Sequence, residues 1–191
     1  VVAALLASGV PNDPSELTRR GIAVHRAVQG GGSGIDVATS AHGGGVRFQA
    51  DHAEPIALPA PVVIWAGASA KTGPRVSRYR AWSGRERFVE ASTELVESFV
   101  EAPVDTARAA WRLLRDMADA AGFVYSTPTI ERIVATAEAA GGAAKPSGAG
   151  GGDVVVAWGG PELGATLADA GFTVLPIQLA GPPAVIPLSH G

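Results

Sequence analysis

A chain of 191 residues, 47% hydrophobic and 17% charged, has the composition of a globular protein and the length to bury a core in one domain or two small ones. Fifteen Lys and Arg against eighteen Asp and Glu leave a net charge of −3, which argues against a nucleic-acid partner. Disulfide and thiol chemistry are excluded by the absence of cysteine, and no apolar run approaches the ~20 residues of a membrane span.

The chain begins Val1-Val2-Ala3-Ala4-Leu5-Leu6-Ala7, an apolar helix with no capping signal and no basic region of a signal peptide before it. Gly9-Val10-Pro11 makes a turn. Asp13 then reads as an N-cap, Pro14 as the first helical residue and Glu16 as the third, and the helix runs to Gln29 with Gly30 as its stop. His25 is a helix residue rather than a ligand, because no second His or Cys stands at metal-binding spacing.

Gly30-Gly31-Gly32-Ser33-Gly34-Ile35-Asp36 opens a second, shorter helix. Ser33 reads as its N-cap with Asp36 three residues on, as in a capping box, and Gly43-Gly44 ends it. Two readings of Asp36 stay open. It is a carboxylate that helps cap a helix, or one held beside a backbone anion nest at Gly32, Ser33 and Gly34, where it can take a proton from a substrate hydroxyl.

Val46-Arg47-Phe48-Gln49 alternates like a strand, Pro55-Ile56-Ala57-Leu58 is a second short one, and Val62-Val63-Ile64-Trp65-Ala66 is a continuous apolar strand, central in a sheet. In the loop that follows, Ser69, Lys71 and Thr72 either touch substrate or supply an ordinary helix N-cap. Helices are expected over 74–82 and 85–101, with a break at Pro103. Arg75, Arg78, Arg80, Arg85 and Arg87 form a solvated face or an anion site. From Val104 to Ala121 the spacing of Ala107, Ala110, Trp111, Leu114, Met117 and Ala118 predicts a helix with one buried face, stopped by Gly122. A further helix spans 128–140.

Lys145-Pro146-Ser147-Gly148-Ala149-Gly150-Gly151-Gly152-Asp153 follows as a glycine-rich loop, with Lys145 expected in solvent. After it come a buried strand, Val154-Val155-Val156-Ala157-Trp158, a helix from Gly160 to Ala170, and an edge strand, Phe172 to Ile177. The tail with Pro182, Pro183 and Pro187 is expected to be loose. Local order excludes two familiar glycine loops. A dinucleotide fingerprint requires strand, glycines, helix, whereas both glycine runs here follow a helix. A phosphate loop of the Walker type requires Gly-Lys followed by Ser or Thr, a triplet the chain lacks. What remains is backbone amides turned toward an anion, or glycines that let two loops pack closely.

Gly-Ser-Gly-Ile-Asp with Ala-Thr-Ser and Gly-Gly resembles the central motif of the GHMP kinases, named from galactokinase, homoserine kinase, mevalonate kinase and phosphomevalonate kinase. Ser147 to Asp153 resembles their C-terminal glycine motif, and its Gly-Gly-Gly-Asp ending is most similar to the phosphomevalonate kinase branch. The resemblance implies an α+β fold. Residues 1–55 would be a remnant of the N-terminal α/β domain, and 56–191 a C-terminal domain with helices on an antiparallel sheet.

It further implies a cytoplasmic kinase that moves the γ-phosphoryl of ATP, with Mg²⁺, to phosphomevalonate or a similar phosphate-bearing acceptor. The partners would be small molecules, with neither nucleic acid nor membrane. A mevalonate or sugar kinase, or a non-catalytic binding domain that keeps the fold, is the alternative. Asp36 would be the base. Gly32, Ser33, Gly34, Ser147, Gly148, Ala149, Gly150, Gly151, Gly152 and Asp153 would hold substrate or phosphate, with no side chain assigned to a metal. In the GHMP pattern a Pro/Gly/Ser-rich phosphate loop runs into an apolar helix like that at Val1. The loop with its serine, and a lysine, would therefore stand before Val1, and the chain alone would be inactive. Residues 71 and 145 carry the only lysines.

Overall fold

A computed structural model describes residues 1–69 and 72–181. Lys71, the side chain of Thr72 and the proline tail from 182 lie outside the described residues. The chain divides into two compact units, Val1–Leu58 with Gln178 onward, and Pro59–Ile177.

In the first unit α1 (Val2–Ala7) is followed by α2 (Pro14–Gln29), which starts as the sequence dictates. The Asp13 carboxylate accepts the Glu16 N–H at 2.7 Å, and Gly30 ends the helix in the left-handed conformation at φ 73°. The next helix, α3 (Ile35–His42), is capped differently from the expectation. Its N-cap is Gly34 at φ 84°, with no side-chain cap bond, and Ser33 Oγ accepts only a long 3.4 Å bond from the Ile35 N–H. A residue at φ 84° has to be glycine-like, so Ser33 is displaced one place outward and no capping box forms with Asp36.

α2 and α3 pack through Leu17, Ile22, Val37 and Ala41, joined by Val2 from α1. They approach so closely that a Cβ on Gly21 would lie 2.5 Å from Val37 Cγ1. A hairpin of β1 (Gly45–Gln49) and β2 (His52–Ile56) completes the unit. β2 starts earlier than the expected Pro55, because a two-residue turn at Ala50 and Asp51 pairs Gln49 with His52. Both turn residues have positive φ, 49° and 64°, a conformation that suits the strand twist but strains side chains. The Arg26 fork holds Asp51 there with bonds of 2.8 and 2.7 Å. Residue 180 returns to this unit, where its carbonyl accepts the Gly44 N–H at 2.7 Å.

The second unit is an antiparallel sheet under helices, the α+β architecture expected. β3 (Val62–Trp65), β4 (Ala143–Pro146), β5 (Val154–Trp158) and β6 (Thr173–Leu175) lie in the order β4-β5-β3-β6, so β3 is interior and β6 is an edge. Ile64 pairs with Val155 and Val174, and Ala144 with Ala157. Pleating turns Ile64, Val155, Ala157 and Ala144 into the core.

Three helices cover that face: α6 (Pro103–Ala121), α7 (Pro128–Ala139) and α8 (Leu163–Asp169). They contribute Trp111, Ala118, Ile130, Ile133, Val134 and Leu167. Two more helices, α4 (Thr72–Ala81) and α5 (Arg85–Ser98), precede them. The expected break lies over 99–102, and Pro103 opens α6 as its first residue, a position where its missing N–H costs nothing. β4 has no counterpart among the expected strands. Ala-Ala-Lys-Pro lacks β-branched residues, and the ladder to β5 imposes the strand.

Removing a real cap and a false one should separate. Asp13→Ala should lower unfolding free energy by about 1 kcal/mol, and Ser33→Ala by no more than about 0.5 kcal/mol, read from urea midpoints.

Candidate functional site

Each unit carries one of the two glycine motifs, and each is built by its own local geometry. In the first unit the path Gly30 to Gly34 runs through φ values of 73° at Gly30, 125° at Gly32 and 84° at Gly34. A Cβ on Gly34 would lie 2.7 Å from Ile22 Cγ1, so the start of α3 is pressed on α2. Arg26, besides gripping Asp51, donates to the carbonyls of Gly32 and Ser33, both at 3.4 Å. These contacts place Asp36 as the second residue of α3. Its side chain is exposed and makes no hydrogen bond among the described residues, while its backbone carbonyl accepts from Ser40 Oγ at 2.7 Å. A carboxylate in a first helical turn is favoured by the helix dipole, and this one keeps both oxygens available to accept a proton.

The second motif is the connection between β4 and β5. The Ser147 N–H donates to the Val154 carbonyl at 3.0 Å and closes the hairpin. At the far end the Ala66 N–H donates to the Asp153 carbonyl at 2.8 Å, and the Asp153 N–H to the Ala68 carbonyl at 2.6 Å. In the middle the Gly151 N–H donates to the Tyr125 carbonyl at 2.6 Å. Gly150 and Gly151 both sit at φ 75°, and Asp153 at 56°.

Close packing explains two of these glycines. A Cβ on Gly150 would overlap the Tyr125 ring, and one on Gly151 would overlap the Arg75 guanidinium. Gly148 faces open space. The amides of Gly148, Ala149, Gly150 and Gly152 donate to no group among the described residues. Backbone N–H groups without a protein acceptor in a turn are of the kind that can receive an oxyanion. Ser147, Gly148 and Asp153 are exposed at its rim.

Beside the loop lies an apolar cavity of about 210 Å³, bounded by Gly148, Ala149, Tyr79, Leu114, Met117 and Phe123. Tyr125, 3% exposed, also borders it, and its buried hydroxyl has no partner among the described residues. Burial raises that phenol well above its ordinary value near 10, so it is neutral at physiological pH.

Three supporting groups were not legible in the sequence. Arg75 Nε donates to the Val124 carbonyl at 3.1 Å and Arg78 Nη1 to the Gly122 carbonyl at 2.7 Å. These two arginines are tied to the segment before α7 rather than spread over a solvated face. Lys145 is the third. It lies on β4, half-buried, with Nζ donating to the Pro146 carbonyl at 3.2 Å, instead of standing in a solvent-exposed loop. Loss of hydration lowers its pKa from the ordinary 10.5.

The family model described as GHMP kinases C terminal matches residues 95–171. Over this segment the chain is similar to the C-terminal domain of the GHMP kinases. Phosphomevalonate kinase from Streptomyces sp. strain CL190 is 36% identical, with 66% of this chain matching 45% of that protein. The chain thus spans less than half of that curated relative.

Among solved structures, the Lin0012 protein of Listeria innocua has a TM-score of 0.82 at 23% identity, over 94% of this chain and 64% of that one. Mevalonate kinase of Methanococcus jannaschii gives 0.70 at 18%, over 91% and 58%. Streptococcus pneumoniae phosphomevalonate kinase in complex with phosphomevalonate and AMPPNP gives 0.53 at 24%, over 63% and 39%. At these identities the likeness is one of fold.

Two predictions follow from the second motif. Gly150→Ala should destabilise the chain by about 2 kcal/mol or more, since it combines a left-handed φ with overlap of Tyr125, while Gly148→Ala should cost under about 1 kcal/mol in the same urea titration. For Lys145 the folded pKa lies below the unfolded one. Between them the unfolded chain holds a proton that the folded chain lacks, so stability should rise with pH from the lowered value toward 10.5. Lys145→Met should abolish that rise and equal or exceed the stability of the parent at pH ~7, as read from urea midpoints at a series of pH values.

Proposed function

We propose that this chain serves an ATP-dependent small-molecule kinase that transfers the γ-phosphoryl group to a phosphate-bearing acceptor of the phosphomevalonate type, in the cytoplasm. The observation that carries the reading is the set of unpaired amides at Gly148, Ala149, Gly150 and Gly152, within a GHMP kinase C-terminal domain. Four N–H donors presented by backbone alone match the oxygens of a phosphate, and they need no side chain to stay charged. Ser147 and Asp153 flank them. The apolar cavity next to the loop suits an acceptor with a short aliphatic body.

In the transfer, an acceptor oxygen (a terminal phosphate oxygen in phosphomevalonate, a hydroxyl in mevalonate or a sugar) bonds to the γ-phosphorus as the bond from that phosphorus to the β,γ-bridging oxygen breaks and ADP leaves. Asp36 accepts the proton that this oxygen carries, a contribution that is typically 10²–10⁴-fold in rate. Gly32, Ser33 and Gly34 hold the backbone that aims it. The remainder comes from positioning and from charge stabilisation at the phosphates. The resemblance implies Mg²⁺, which neutralises phosphate charge when bound. Among the described residues no group of three His, Asp or Glu side chains could hold a metal ion, so no ligand in this chain is assigned to it and no step is routed through it. No described helix is long and apolar enough to cross a membrane.

Asp36→Asn in the full-length protein tests the base. Turnover with phosphomevalonate should fall roughly 10²-fold or more, with nucleotide affinity and melting temperature nearly unchanged. Near-normal turnover would remove Asp36 from the chemistry. A panel with mevalonate, phosphomevalonate and galactose identifies the acceptor, and the reading fails if none of them is phosphorylated.

A further inference from the structure

The glycine loop has little support of its own. Between Gly150 and Asp153 the backbone stays at positive φ, and Gly151 is tied through its N–H to a carbonyl, that of Tyr125, in a separate segment. That segment, residues 122–125, has to be held in turn. Two arginines on α4, at i and i+3 and therefore on one face, do so: Arg78 on the Gly122 carbonyl and Arg75 on the Val124 carbonyl. Arg75 reaches further than Arg78. While its Nε bonds to Val124, its Nη2 lies against Gly151 itself, so one planar fork touches both partners of the joint. α4 lies outside residues 95–171, so this brace is not part of the matched family domain.

We propose that Arg75 is a positioning residue that fixes the glycine loop by bracing Gly151 against the 122–125 segment, and that it acts on phosphate affinity through the loop rather than by its charge. The proposal rests on the reading that the loop amides receive nucleotide phosphate. Its first readout is independent of that reading.

The experiment compares amide hydrogen exchange, nucleotide KM, kcat and thermal melts of the full-length protein with its Arg75→Met and Arg75→Lys variants. Exchange at the Gly151 amide should rise about tenfold in both, the loss expected when a charged hydrogen bond to its support is removed. The Asp153 amide, bonded to Ala68 rather than to this segment, should stay protected. Nucleotide KM should rise about tenfold in both, with kcat within about twofold and little change in melting temperature.

Unchanged exchange at Gly151 would overturn the proposal. So would full recovery of KM by Arg75→Lys, which would make charge, not position, the operative property. Absence of phosphoryl transfer by the parent protein would defeat the proposed function, and the exchange data would still decide the brace. If Arg75→Met fails to fold, Arg75→Lys alone supplies both readouts.

Discussion

The pressing of the Gly150-Gly151 backbone onto Tyr125 is the contact on which the second unit's site depends. It fixes the loop at one point in its middle, and that point is anchored deep. Tyr125 stacks on Trp111 with ring centroids 5.8 Å apart, and Trp111 carries the Arg115 guanidinium 5.4 Å above its ring. Trp111 belongs to the core formed with Ile64, Ile130 and Val155, where each large side chain contributes about 1.5–3 kcal/mol by burial. The loop is therefore a rigid extension of the sheet-and-helix core. A side chain at Gly150 would have to move that core rather than a surface group.

The Asp36 region is stabilised by other means. Its polar ties, those of Arg26 to Asp51 and to the Gly32 and Ser33 carbonyls, are exposed to solvent, and such pairs contribute little. What places Asp36 is the close approach of α2 and α3. Gly21 and Gly34 let the two backbones meet, and Leu17, Ile22, Val37 and Ala41 fill the seam. The same seam explains why the carboxylate is left free. Once Gly34 takes the cap position with a left-handed φ, Asp36 falls beyond reach of a capping partner.

What the sequence reveals follows from how local each signal is. Asp13, Gly30 and Gly122 are read correctly because a cap or a left-handed stop is a property of a few consecutive residues. The apolar stripe of α6 is equally legible, since its period is its own. β4 is not, because Ala143 to Pro146 become a strand only through pairing with β5. The burial of Lys145 is lost with it. The roles of Arg75 and Arg78 are hidden for a related reason: an arginine that grips a carbonyl some forty to fifty residues away has the same local spacing as one in solvent. The motifs point to the loops, and nothing in them names the groups that hold the loops still.

The unpaired amides give the last step. Gly150 and Gly152 are buried residues whose N–H groups donate to nothing among the described residues, although a neighbouring loop amide, that of Gly151, is fully used. An unmade hydrogen bond of a buried donor costs about 1–3 kcal/mol, and native folds retain few of them. The backbone here could have been spent on a longer hairpin, with the ladder of β4 and β5 carried past Pro146. Instead the pairing ends with the Ser147 N–H on the Val154 carbonyl, and residues 150–153 then run at positive φ. A loop that forgoes its own hydrogen bonds is stable only because Tyr125, Arg75 and Ala68 constrain it from outside. In the proposed enzyme the oxygens of a phosphate would complete those bonds, and the stability that the loop forgoes would reappear as affinity for the nucleotide.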